Sequence, residues 1–552
     1  MAKFNSRLAS QGAARTATGP IKAGTLTERT GNGAPAFSRD AKSDLFLLAV
    51  TNFVSEDTFY EKGQDRDTRF EQLVHQVTTE DPAWMQGFIP WLRTEAMMRS
   101  ASIVAAAEYV KAGGPLGRQV VTSAIARGDE PSEMLSYWIA RHGRQIPQPI
   151  KRGVADAAQK FYTERNVLKY DSSGSSMRMA DVIQLAHVKP KADWQSALFK
   201  YVLADRYSNE GQKTEAGAAL PMITRNRAFR TMDPAEARRR LLADPEELAA
   251  GGFTWESLSS FGPMDKAAWE AIIPQMGYMA LLRNLRNFDQ AGVSDEVAQQ
   301  VIAKLMDPEE VARSRQLPFR FWSAYKNAPS LRWSYALEKG LDLSTQNVPE
   351  FNGPTDVLVD TSGSMQSGGY GSRSSMSPIQ AAALFGAVLA KKNAKNVRLF
   401  GFADYSFEHK INAGESALTI MNKFMARVGE AGYGTQIGQA LSNWNGAKRI
   451  VIISDLQSSD YYSRSSDGLI TARRDSYGGY GYGVGRLASM PSGTRIPTSV
   501  PIYAFNLGGY GASSVKSGDL TANEHEFGGM NDRTFSMINL IEQAKSAGYP
   551  WE

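Results

Sequence analysis

Apolar side chains between residues 42 and 338 recur at spacings of three and four, which is the period of an amphipathic helix. Leu45, Leu48, Ala49 and Phe53 illustrate the spacing. Runs typical of strands are nearly absent before residue 350, and the predicted helices, of about 10 to 15 residues each, follow one another across short polar connections. Because an amphipathic hairpin buries its apolar face only against neighbours, the pattern favours helical hairpins stacked in series.

Four Asp-Pro pairs punctuate this helical region. In each pair the carboxylate can accept hydrogen bonds from the free amides of a first helical turn, and the missing N–H of the proline costs nothing at the first helical position. We therefore predict that helices begin just after Asp81, Asp233, Asp244 and Asp307. Gly-Gly pairs at residues 113–114 and 251–252 predict helix ends.

After residue 352 the pattern changes to short β-branched runs that alternate with helical stretches. The predicted strands, each buried on both faces, are residues 355–360, 396–403, 449–455 and 499–506. Helical patterns lie between them, as in residues 379–392 and 435–444. Buried strands separated by helices predict a doubly wound, parallel α/β sheet.

These patterns divide the chain into three predicted parts. Residues 1–38 are rich in Gly, Ala, Ser and Thr with scattered Lys and Arg, which predicts a flexible basic arm that is mobile or loosely docked. Residues 39–350 form the predicted all-α repeat domain, and residues 351–552 the predicted α/β domain. Residues 366–377 and 457–498 are rich in Gly, Ser and Tyr, and we expect neither segment to build a core of its own.

Composition narrows the possible chemistry. The chain has 552 residues, enough for two or more domains, with no cysteine and five histidines. The lack of cysteine excludes disulfides, thiolate metal centres and cysteine nucleophiles, and five scattered histidines argue against a transition-metal cluster. Neither a signal-peptide core nor a membrane-spanning run is visible, so we expect an intracellular, cytoplasmic protein with no membrane partner.

Positive charge is concentrated in one block. The net charge of the chain is only +5, but residues 141–240 carry 19 Lys and Arg against 10 Asp and Glu, a net +9. Such a block can neutralise phosphates, although a basic stretch on a helical repeat is usually just a solvated face. The candidate contacts in the block are Lys151, Arg152, Lys160, Arg165, Lys169, Arg178, His187, Lys189 and Lys191.

Oxygen-bearing side chains gather at the predicted strand ends of the α/β part. The strand 355–360 runs into Asp-Thr-Ser-Gly-Ser, whose alternate side chains, one carboxylate and two hydroxyls, can converge as the chain turns. That motif alone is a common turn sequence, but a threonine that opens a helix and an aspartate that ends a buried strand belong to the same sheet edge. Hard oxygen donors of this kind suit Mg²⁺ or another divalent cation, and the predicted ligands are Asp360, Ser362, Ser364, Thr435 and Asp455.

This constellation resembles the metal-ion-dependent adhesion site (MIDAS) of von Willebrand factor A domains. In that family the metal leaves a coordination position for the carboxylate of a partner, so the resemblance implies a binding site that is not hydrolytic. No histidine, lysine or second carboxylate cluster near the motif offers a general base, which agrees with a protein that is not an enzyme. Metal-dependent phosphoester hydrolysis at Asp360 and Asp455 is the alternative ranked last.

The helical part resembles the TROVE module of the Ro autoantigen and its bacterial relatives. The resemblance lies in residues 44–61, 182–194 and 278–288 and in the order of the two domains. It implies a closed, monomeric ring of HEAT-like repeats, bridged by the A domain, that binds Y-like small noncoding RNA on its outer surface and single-stranded 3′ ends of misfolded RNA in its hole. It also implies a noncatalytic role in RNA quality control or small-RNA stability, with an exoribonuclease as a candidate partner.

Under this resemblance the basic block overlaps the Y RNA surface of the family, and His187 falls on an RNA-contacting histidine. Arg283 and Arg286 lie three apart on one predicted helix and can line the hole of the ring or pair with acidic residues of neighbouring helices. The chain departs from its relatives after Lys169-Tyr170, where the uncharged run 172–176 replaces extra basic residues. This departure predicts a weaker or differently shaped outer site.

Two further alternatives remain open on sequence grounds. The loop 473–486 combines tyrosines with arginines, which suits either a stacking surface for single-stranded nucleic acid or, as we favour, a flexible insertion near the metal edge. The rival function is a protein-assembly adaptor, in which the A domain captures a partner carboxylate through Mg²⁺ and the helical repeats hold a peptide.

Overall fold

The structure is a computed structural model of the chain. It describes residues 19–51, 58, 60–316, 318–328, 330–345, 348, 350–366, 376–412, 414–473, 494–518, 523–528, 538, 541–542 and 548–552. The chain forms two compact units. The sheet unit comprises Met1–Val77, Leu317–Phe319 and Thr345–Glu552, and the helical unit comprises Thr78–Gln316 and Arg320–Ser344.

Residues 19–77, called the N-terminal segment below, belong to the sheet unit. They contain the strand pair β1 (Glu28–Arg29) and β2 (Pro35–Ala36), helix α1 (Ala41–Thr51) and most of α2 (Gly63–Glu80). The described part of the predicted arm, residues 19–38, is docked, since Ile21 and Ala36 are fully buried. This differs from the predicted loose arm because long-range hydrogen bonds and buried small apolar residues hold the segment, and neither leaves a periodic pattern in the sequence. Residues 1–18 lie outside the described part of the chain.

The helical unit consists of short helices that pack on their neighbours along the chain, as the predicted helical repeats require. Strand pairing is absent from its described residues. The helices are α3 (Pro82–Thr94), α4 (Arg99–Lys111), α5 (Gly117–Ser123), α6 (Glu130–His142), α7 (Gln148–Phe161), α8 (Glu164–Tyr170), α9 (Met179–Ala186), α10 (Asp193–Arg206), α11 (Glu210–Gly217), α12 (Pro221–Arg230), α13 (Pro234–Ala243), α14 (Pro245–Ala250), α15 (Trp255–Leu258), α16 (Lys266–Ile272), α17 (Tyr278–Gln290), α18 (Asp295–Met306), α19 (Pro308–Ser314), α20 (Pro318–Asn327) and α21 (Leu331–Ser344).

All four Asp-Pro pairs begin helices as predicted. The carboxylate of each aspartate accepts a hydrogen bond from a first-turn amide: Asp81 from Trp84, Asp233 from Ala235 and Glu236, Asp244 from Glu246, and Asp307 from Glu310. Each cap satisfies an amide that has no partner inside its helix. The Gly-Gly pairs follow the ends of α4 and α14, so both predicted breaks are confirmed.

A glycine lets two of these helices approach closely. A Cβ on Gly153 in α7 would lie 2.6 Å from Val121 Cβ and 2.8 Å from the Arg118 carbonyl oxygen in α5. Glycine is therefore required for this spacing, because a backbone carbonyl cannot rotate away as a side chain can. The close contact fixes α7, which carries part of the basic block, against α5.

The sheet unit contains a six-stranded sheet in the order β10-β9-β6-β3-β4-β5. All pairings are parallel except that of β5 with β4. The four predicted strands are confirmed as β3, β4, β6 and β9. The elements are β3 (Thr355–Asp360), α22 (Gly363–Gln366), α23 (Pro378–Lys392), β4 (Val397–Phe402), β5 (Ser406–His409), α24 (Ala417–Met425), α25 (Ile437–Leu441), β6 (Arg449–Ser454), β7 (Tyr461–Arg464), β8 (Ile470–Arg473), β9 (Ile502–Asn506) and β10 (Glu524–Gly528).

Both faces of the sheet are covered, as the predicted doubly wound fold requires. Helix α23 packs on β3 and β4, while α25 and the β7–β8 hairpin pack on the opposite face, where a core cluster includes Leu358, Ile437 and Ile452. Tyr462 and Ile470 of the hairpin belong to that cluster, so the described part of the segment 457–498 contributes to the core of the sheet and builds no separate one. Its alternating apolar positions are too few to stand out from the surrounding Gly and Ser.

Edge strand β10 is covered by the N-terminal segment. Leu47 of α1 lies 2.5 Å from the position of a Cβ on Gly528, and Arg39 forms a two-bond ion pair of 2.8 and 3.0 Å with Glu526. Both charged side chains are almost fully buried, and such pairs are stable inside a protein only when the geometry satisfies both partners. A covered edge strand is less open to pairing with another chain.

Within the described residues, no helix combines the length and the apolar character that crossing a bilayer requires.

Candidate nucleic-acid interface and metal site

Helix α7 and the elements after it carry an exposed cationic face on the helical unit. Ile150, Val154 and Ala157 bury one side of α7, which leaves Arg152 and Lys160 on the opposite, exposed side. The other exposed members are Arg165 and Lys169 on α8 and His187, Lys189 and Lys191 after α9, while Lys151 is half-buried. These eight residues are called the basic surface below.

Two glutamines anchor the loop 187–192 of the basic surface. The Gln159 amide donates to the Lys189 carbonyl at 2.6 Å, and the Gln195 amide donates to the Gln159 carbonyl at 2.9 Å. The backbone amide of Lys191 donates in turn to Gln195, at 2.9 Å. The bonds place the loop beside the carboxyl end of α7, and so they bring residues that are far apart in sequence to one face. His187 ends α9 with a left-handed φ of 53°.

Helix α8 adds two cations and an aromatic ring. Arg165 and Lys169 lie four residues apart and so share a helix face. The ring of Tyr170 lies 5.1 Å from the Lys169 ammonium and 5.2 Å from the Arg127 guanidinium. Cation–π contacts of this length hold the cations over the ring without neutralising them.

The members of the basic surface have no acidic partner in ion-pair range among the described residues. Asp156 is the nearest counter-charge on α7, but its carboxylate is held by Arg118 at 2.6 Å. Hydrogen bonds from Arg118 are the main reason that the pKa of Asp156 is lowered, with a smaller effect from Lys191. The surface therefore presents net positive charge to solvent.

The structure corrects one predicted phosphate contact, Arg178. Its side chain is buried, and its guanidinium donates to Asp171 at 2.6 Å and to Asp205 at 2.7 Å. Burial alone lowers the pKa of Arg178, but the hydrogen bonds that Arg178 donates to these carboxylates outweigh burial and raise the pKa. The Arg178 charge is thus compensated inside the helical unit, where it closes the base of the serine-rich loop 172–177.

Exposed aromatic side chains near the basic surface were missed from the sequence. Trp194, in the first turn of α10, is 49% exposed, and Tyr207, just after α10, is 57% exposed. An indole exposed to this extent offers a large aromatic face on which a base can stack. Its position directly after Lys189 and Lys191 was a usable signal, because interleaved cations and aromatics are typical of single-stranded nucleic-acid surfaces.

Arg283 and Arg286 project from α17 as predicted for two residues on one face. Both are exposed, and neither forms an ion pair with another described residue, so the alternative of acidic partners on neighbouring helices is not observed. Burial is the main cause that lowers the pKa of Arg320, and the nearby charge of Arg283 lowers it further. The two arginines therefore add a second positive region to the helical unit.

The predicted metal ligands of the sheet unit lie together at the carboxyl ends of β3 and β6. Asp360 is fully buried and accepts from the Ser454 hydroxyl at 2.5 Å and from the Ser362 amide at 2.9 Å. The hydroxyls of Ser362 and Ser364 are 3.2 Å apart. The turn off strand β3 thus gathers the alternate side chains of the motif, as the spacing predicts.

Asp455 provides the second buried carboxylate. Burial raises the pKa of Asp360 well above its usual range, and the charge of Asp455 raises it further. Burial likewise raises the pKa of Asp455, while a hydrogen bond from Ser364 lowers it. Two carboxylates that destabilise each other in a buried place are the arrangement that a cation stabilises.

Thr435 is buried, in a loop that touches the motif through its backbone. The Gly363 amide donates to the Tyr433 carbonyl at 2.8 Å. Asp404, at the end of β4, accepts from the amides of Tyr433 and Gly434 at 3.0 Å and so holds this loop in place. Asp404 follows a predicted strand at the same sheet edge, which is the signal that identified Asp360 and could have identified Asp404 too.

The donor set fits a divalent cation of the Mg²⁺ type. It comprises two carboxylates and three hydroxyl side chains, all hard oxygens, from Asp360, Ser362, Ser364, Thr435 and Asp455. Among the described residues, no cluster of three or more His, Cys, Asp or Glu side chains is placed to hold a metal. Residues 367–375 and 474–493, which include most of the two Gly/Ser/Tyr-rich segments and most of the loop 473–486, lie outside the described residues.

Comparison with known proteins finds likeness in sequence and in fold. Residues 175–329 match the family model described as the TROVE domain. Among curated proteins, telomerase protein component 1 of Mus musculus is 28% identical over 210 residues, which is 35% of this chain and 7% of that protein. Its Rattus norvegicus counterpart is 28% identical over 153 residues, 27% of this chain and 5% of that protein. The chain thus spans only a small part of the length of these relatives.

The fold is similar to that of a solved protein over nearly its whole length. The RO (RSR) protein of Deinococcus radiodurans matches with a TM-score of 0.56 and 17% sequence identity, over 91% of this chain and 99% of that one. The family match includes Arg178, His187, Lys189, Arg283 and Arg286, whereas the cations of α7 and α8 lie before it.

Proposed function

We propose that this chain, which carries a TROVE domain and shares the fold of a Ro protein, is a noncatalytic RNA-binding protein of the Ro type. One observation carries the proposal: seven exposed side chains and the half-buried Lys151 form the basic surface, and none has an acidic partner in ion-pair range among the described residues. Solvated faces of helical proteins usually intersperse both signs of charge. A face with one sign and exposed aromatic rings suits a polyanion with accessible bases.

Binding at this surface divides into two kinds of contact. Lysine and arginine side chains neutralise phosphates and release counterions, which supplies affinity that falls with added salt. His187 and Trp194 can stack on unpaired bases or bond to their edges, which suits a structured RNA with loops or bulges. Burial of Arg178 with two aspartates keeps α8, α9 and α10 in register beneath these groups.

The RNA class is inferred from the TROVE match and from charge. We assign Y-like small noncoding RNA to the basic surface and single-stranded 3′ ends of misfolded RNA to Arg283 and Arg286, whose charges are uncompensated by other described residues. A protein that holds both is suited to RNA quality control or small-RNA stability, with an exoribonuclease as a partner.

A divalent cation is the second element of the proposal. Mg²⁺ bound by Asp360, Ser362, Ser364, Thr435 and Asp455 would supply positive charge that compensates the two buried carboxylates. These residues hold the oxygens, the Ser454 hydroxyl orients Asp360, and Asp404 fixes the loop that carries Thr435. The cation in this assignment stabilises the sheet unit and takes part in no reaction.

The test uses the full chain and two labelled RNAs, a hairpin with a single-stranded 3′ tail and the same hairpin without it. The triple variant Lys151→Ala, Arg152→Ala and His187→Ala removes two phosphate contacts and one base contact. We expect affinity for the tailed hairpin to fall by roughly tenfold or more at 0.1 M salt, and the slope of log affinity against log salt to shrink by about 2.

A matched control removes three exposed lysines of the sheet unit, with Lys392→Ala, Lys395→Ala and Lys410→Ala. We expect this control to retain wild-type affinity, because its positions lie outside the helical unit. Equal affinity of wild type and the first triple variant, or equal loss in both triple variants, contradicts the proposal.

A further inference from the structure

The N-terminal segment lies against the loop that follows Asp455. The Thr30 hydroxyl donates to the Ser458 carbonyl at 2.7 Å, and the Gly31 amide donates to the Gln457 side chain at 2.6 Å. The Asn32 side chain donates to the Gln457 carbonyl at 2.5 Å. The turn between β1 and β2 is therefore bonded to the chain immediately beyond the second carboxylate of the metal site.

Tyr60 extends this contact to the metal site itself. Its hydroxyl donates to Asn32 at 2.9 Å, and its ring packs edge-on against Tyr510, with 5.4 Å between ring centroids. Burial raises the pKa of Tyr60 to about 12, and the Asp455 carboxylate raises it too, whereas a hydrogen bond with the Ser364 hydroxyl opposes the shift. Ser364 and Asp455, two of the predicted ligands, are thus near enough to Tyr60 to affect its pKa.

Close packing requires a glycine beneath this ring. A Cβ on Gly31 would lie 2.3 Å from the ring of Tyr60, a distance that no side chain tolerates. The turn 30–32 and Tyr60 therefore form one packed layer. Displacing either one would remove the packing contacts of the other.

Three arginines of the N-terminal segment hold the layer in place. Arg39, Arg66 and Arg69 donate to the carbonyls of residues 510, 508 and 509, at 2.6, 3.0 and 2.9 Å. The loop 508–510 follows β9 at the same sheet edge as Asp360 and Asp455. Glu61 pairs with both Arg66 and Arg69, so the residue next to Tyr60 is part of the same network.

The predicted metal ligands are shielded from solvent. Asp360 and Ser362 are fully buried, and Thr435, Asp455 and Ser364 are at most 6% exposed. A site that captures the carboxylate of another protein needs an accessible ligand position. Asn32, which is exposed, and Tyr60, which is partly exposed, are bonded to each other, and Asn32 is bonded to the loop after Asp455.

We propose that Tyr60, backed by Asn32, occupies the outer side of the metal site from within the chain. A cation bound there then fastens the N-terminal segment to the sheet and excludes an external carboxylate. The inference rests on the divalent-cation site proposed above and is independent of RNA binding. It also distinguishes this chain from an adaptor whose metal is open to partners.

The test loads the full-length protein with Mn²⁺ as a paramagnetic substitute for Mg²⁺ and uses acetate as the carboxylate probe. Water-proton relaxation reports how much solvent or acetate reaches the bound ion. In the wild type we expect low enhancement that acetate leaves unchanged. In Tyr60→Ala we expect an enhancement at least about twofold higher, which acetate then lowers.

Tyr60→Phe keeps the ring and removes only the hydroxyl, so the N-terminal segment should stay folded in this variant. We expect acetate to reach the ion in Tyr60→Phe. Tyr405→Phe is the matched control, since Tyr405 is 69% exposed, and it should behave as wild type. Hydrogen exchange supplies a second readout: Mg²⁺ should slow exchange of residues 28–36 by about tenfold or more in the wild type.

Three outcomes overturn the proposal: no divalent cation binds to the wild type, acetate reaches Mn²⁺ equally in wild type and Tyr60→Ala, or Mg²⁺ leaves exchange of residues 28–36 unchanged. RNA binding measured on the same preparation in EDTA separates this result from failure of the RNA assignment, because the basic surface lies in the helical unit.

Discussion

Nη2 of Arg178 lies 2.6 Å from Oδ2 of Asp171, seven residues earlier in the chain, and this bond closes the exposed loop between them. The loop itself, residues 172–176, carries no charge and is exposed. Arg178, although it lies inside the basic block of the sequence, thus stabilises the fold that supports the basic surface.

Replacing Arg178 tests this assignment. Arg178→Met leaves Asp171 and Asp205 without their shared partner, and breaking a buried pair in this way costs about 3 kcal/mol of unfolding free energy. Urea denaturation of this variant, compared with Lys189→Ala, measures the difference, and we expect Lys189→Ala to stay within about 0.5 kcal/mol of wild type because it is exposed. Unchanged stability of Arg178→Met together with weaker RNA binding contradicts the structural role.

The salt dependence of binding distinguishes the proposed phosphate contacts from residues that only support the fold. Lys160→Ala combined with Lys189→Ala removes two exposed cations that have no ion-pair partner among the described residues. We expect the slope of log affinity against log salt to fall by about 2, with the unfolding free energy unchanged. Fluorescence anisotropy over a salt series provides the measurement, and an unaltered slope argues against phosphate contact at these positions.

Trp194 is expected to act differently from the lysines. Trp194→Ala removes a 49% exposed indole but no charge, so affinity for a tailed hairpin should weaken by about 1 to 3 kcal/mol while the salt slope stays constant. Trp194→Phe retains a stacking face and should recover most of the loss. Tyr335→Ala, at a 70% exposed aromatic on α21, is the control and should bind as wild type.

The α5–α7 contact predicts that replacing a helical glycine by alanine lowers the free energy of unfolding, although this substitution usually raises it. Gly153→Ala gains about 1 kcal/mol of helix propensity, but the added methyl group meets a side chain and a backbone carbonyl within 2.8 Å, and overpacking costs 1 to about 3 kcal/mol. We expect net destabilisation. Gly211→Ala in α11 meets only Asn209, at 3.7 Å, and should be neutral or stabilising. Equal effects of the two substitutions on urea unfolding contradict the close approach.

Regular elements of this fold are readable from the sequence because their signals are local. Four parallel strands follow from β-branched runs, and four helix starts follow from Asp-Pro pairs. Asp360, Ser362, Ser364 and Asp455 were placed correctly at one sheet edge for the same reason, since the carboxyl ends of parallel strands coincide.

Features that depend on distant partners were not readable. Strand β10 has the sequence Glu-His-Glu-Phe-Gly, and its charged residues are buried only because Arg39 and other distant groups meet them. Arg178 carries no mark that distinguishes it from Lys169, since its partner Asp205 lies 27 residues away. The docked residues 19–38 contribute backbone hydrogen bonds, for which composition gives no signal.

The stability of the metal-free protein should depend on pH, and Asp360 and Asp455 set the direction of that dependence. Both have raised pKa values when folded, so between about pH 4, the ordinary carboxyl value, and those raised values the folded state binds more protons than the unfolded state. Stability contributed by protonation is therefore present at low pH and lost as pH rises through the folded values.

Thermal unfolding of the sheet unit in EDTA, at pH 5, 6 and 7.5, measures this loss. Mg²⁺ should restore the midpoint most strongly at pH 7.5, because the two carboxylates are more ionised there than at pH 5 or 6. Asp360→Asn should abolish the Mg²⁺ effect and flatten the pH dependence. A midpoint that Mg²⁺ leaves unchanged at every pH rules out a cation at these residues.

The sheet unit is assembled from both ends of the chain, with the helical unit encoded between them. The bond from Thr30 to Ser458 joins residues 428 positions apart, so at ribosomal rates of 5 to 20 residues per second the first partner waits about 20 to 90 s for the second. The helical unit is meanwhile complete and free to fold. During synthesis the N-terminal segment therefore depends on chaperones or on its own solubility until the strands of the sheet are translated. A truncated transcript would leave the apolar side chains of this segment without the sheet residues against which they pack.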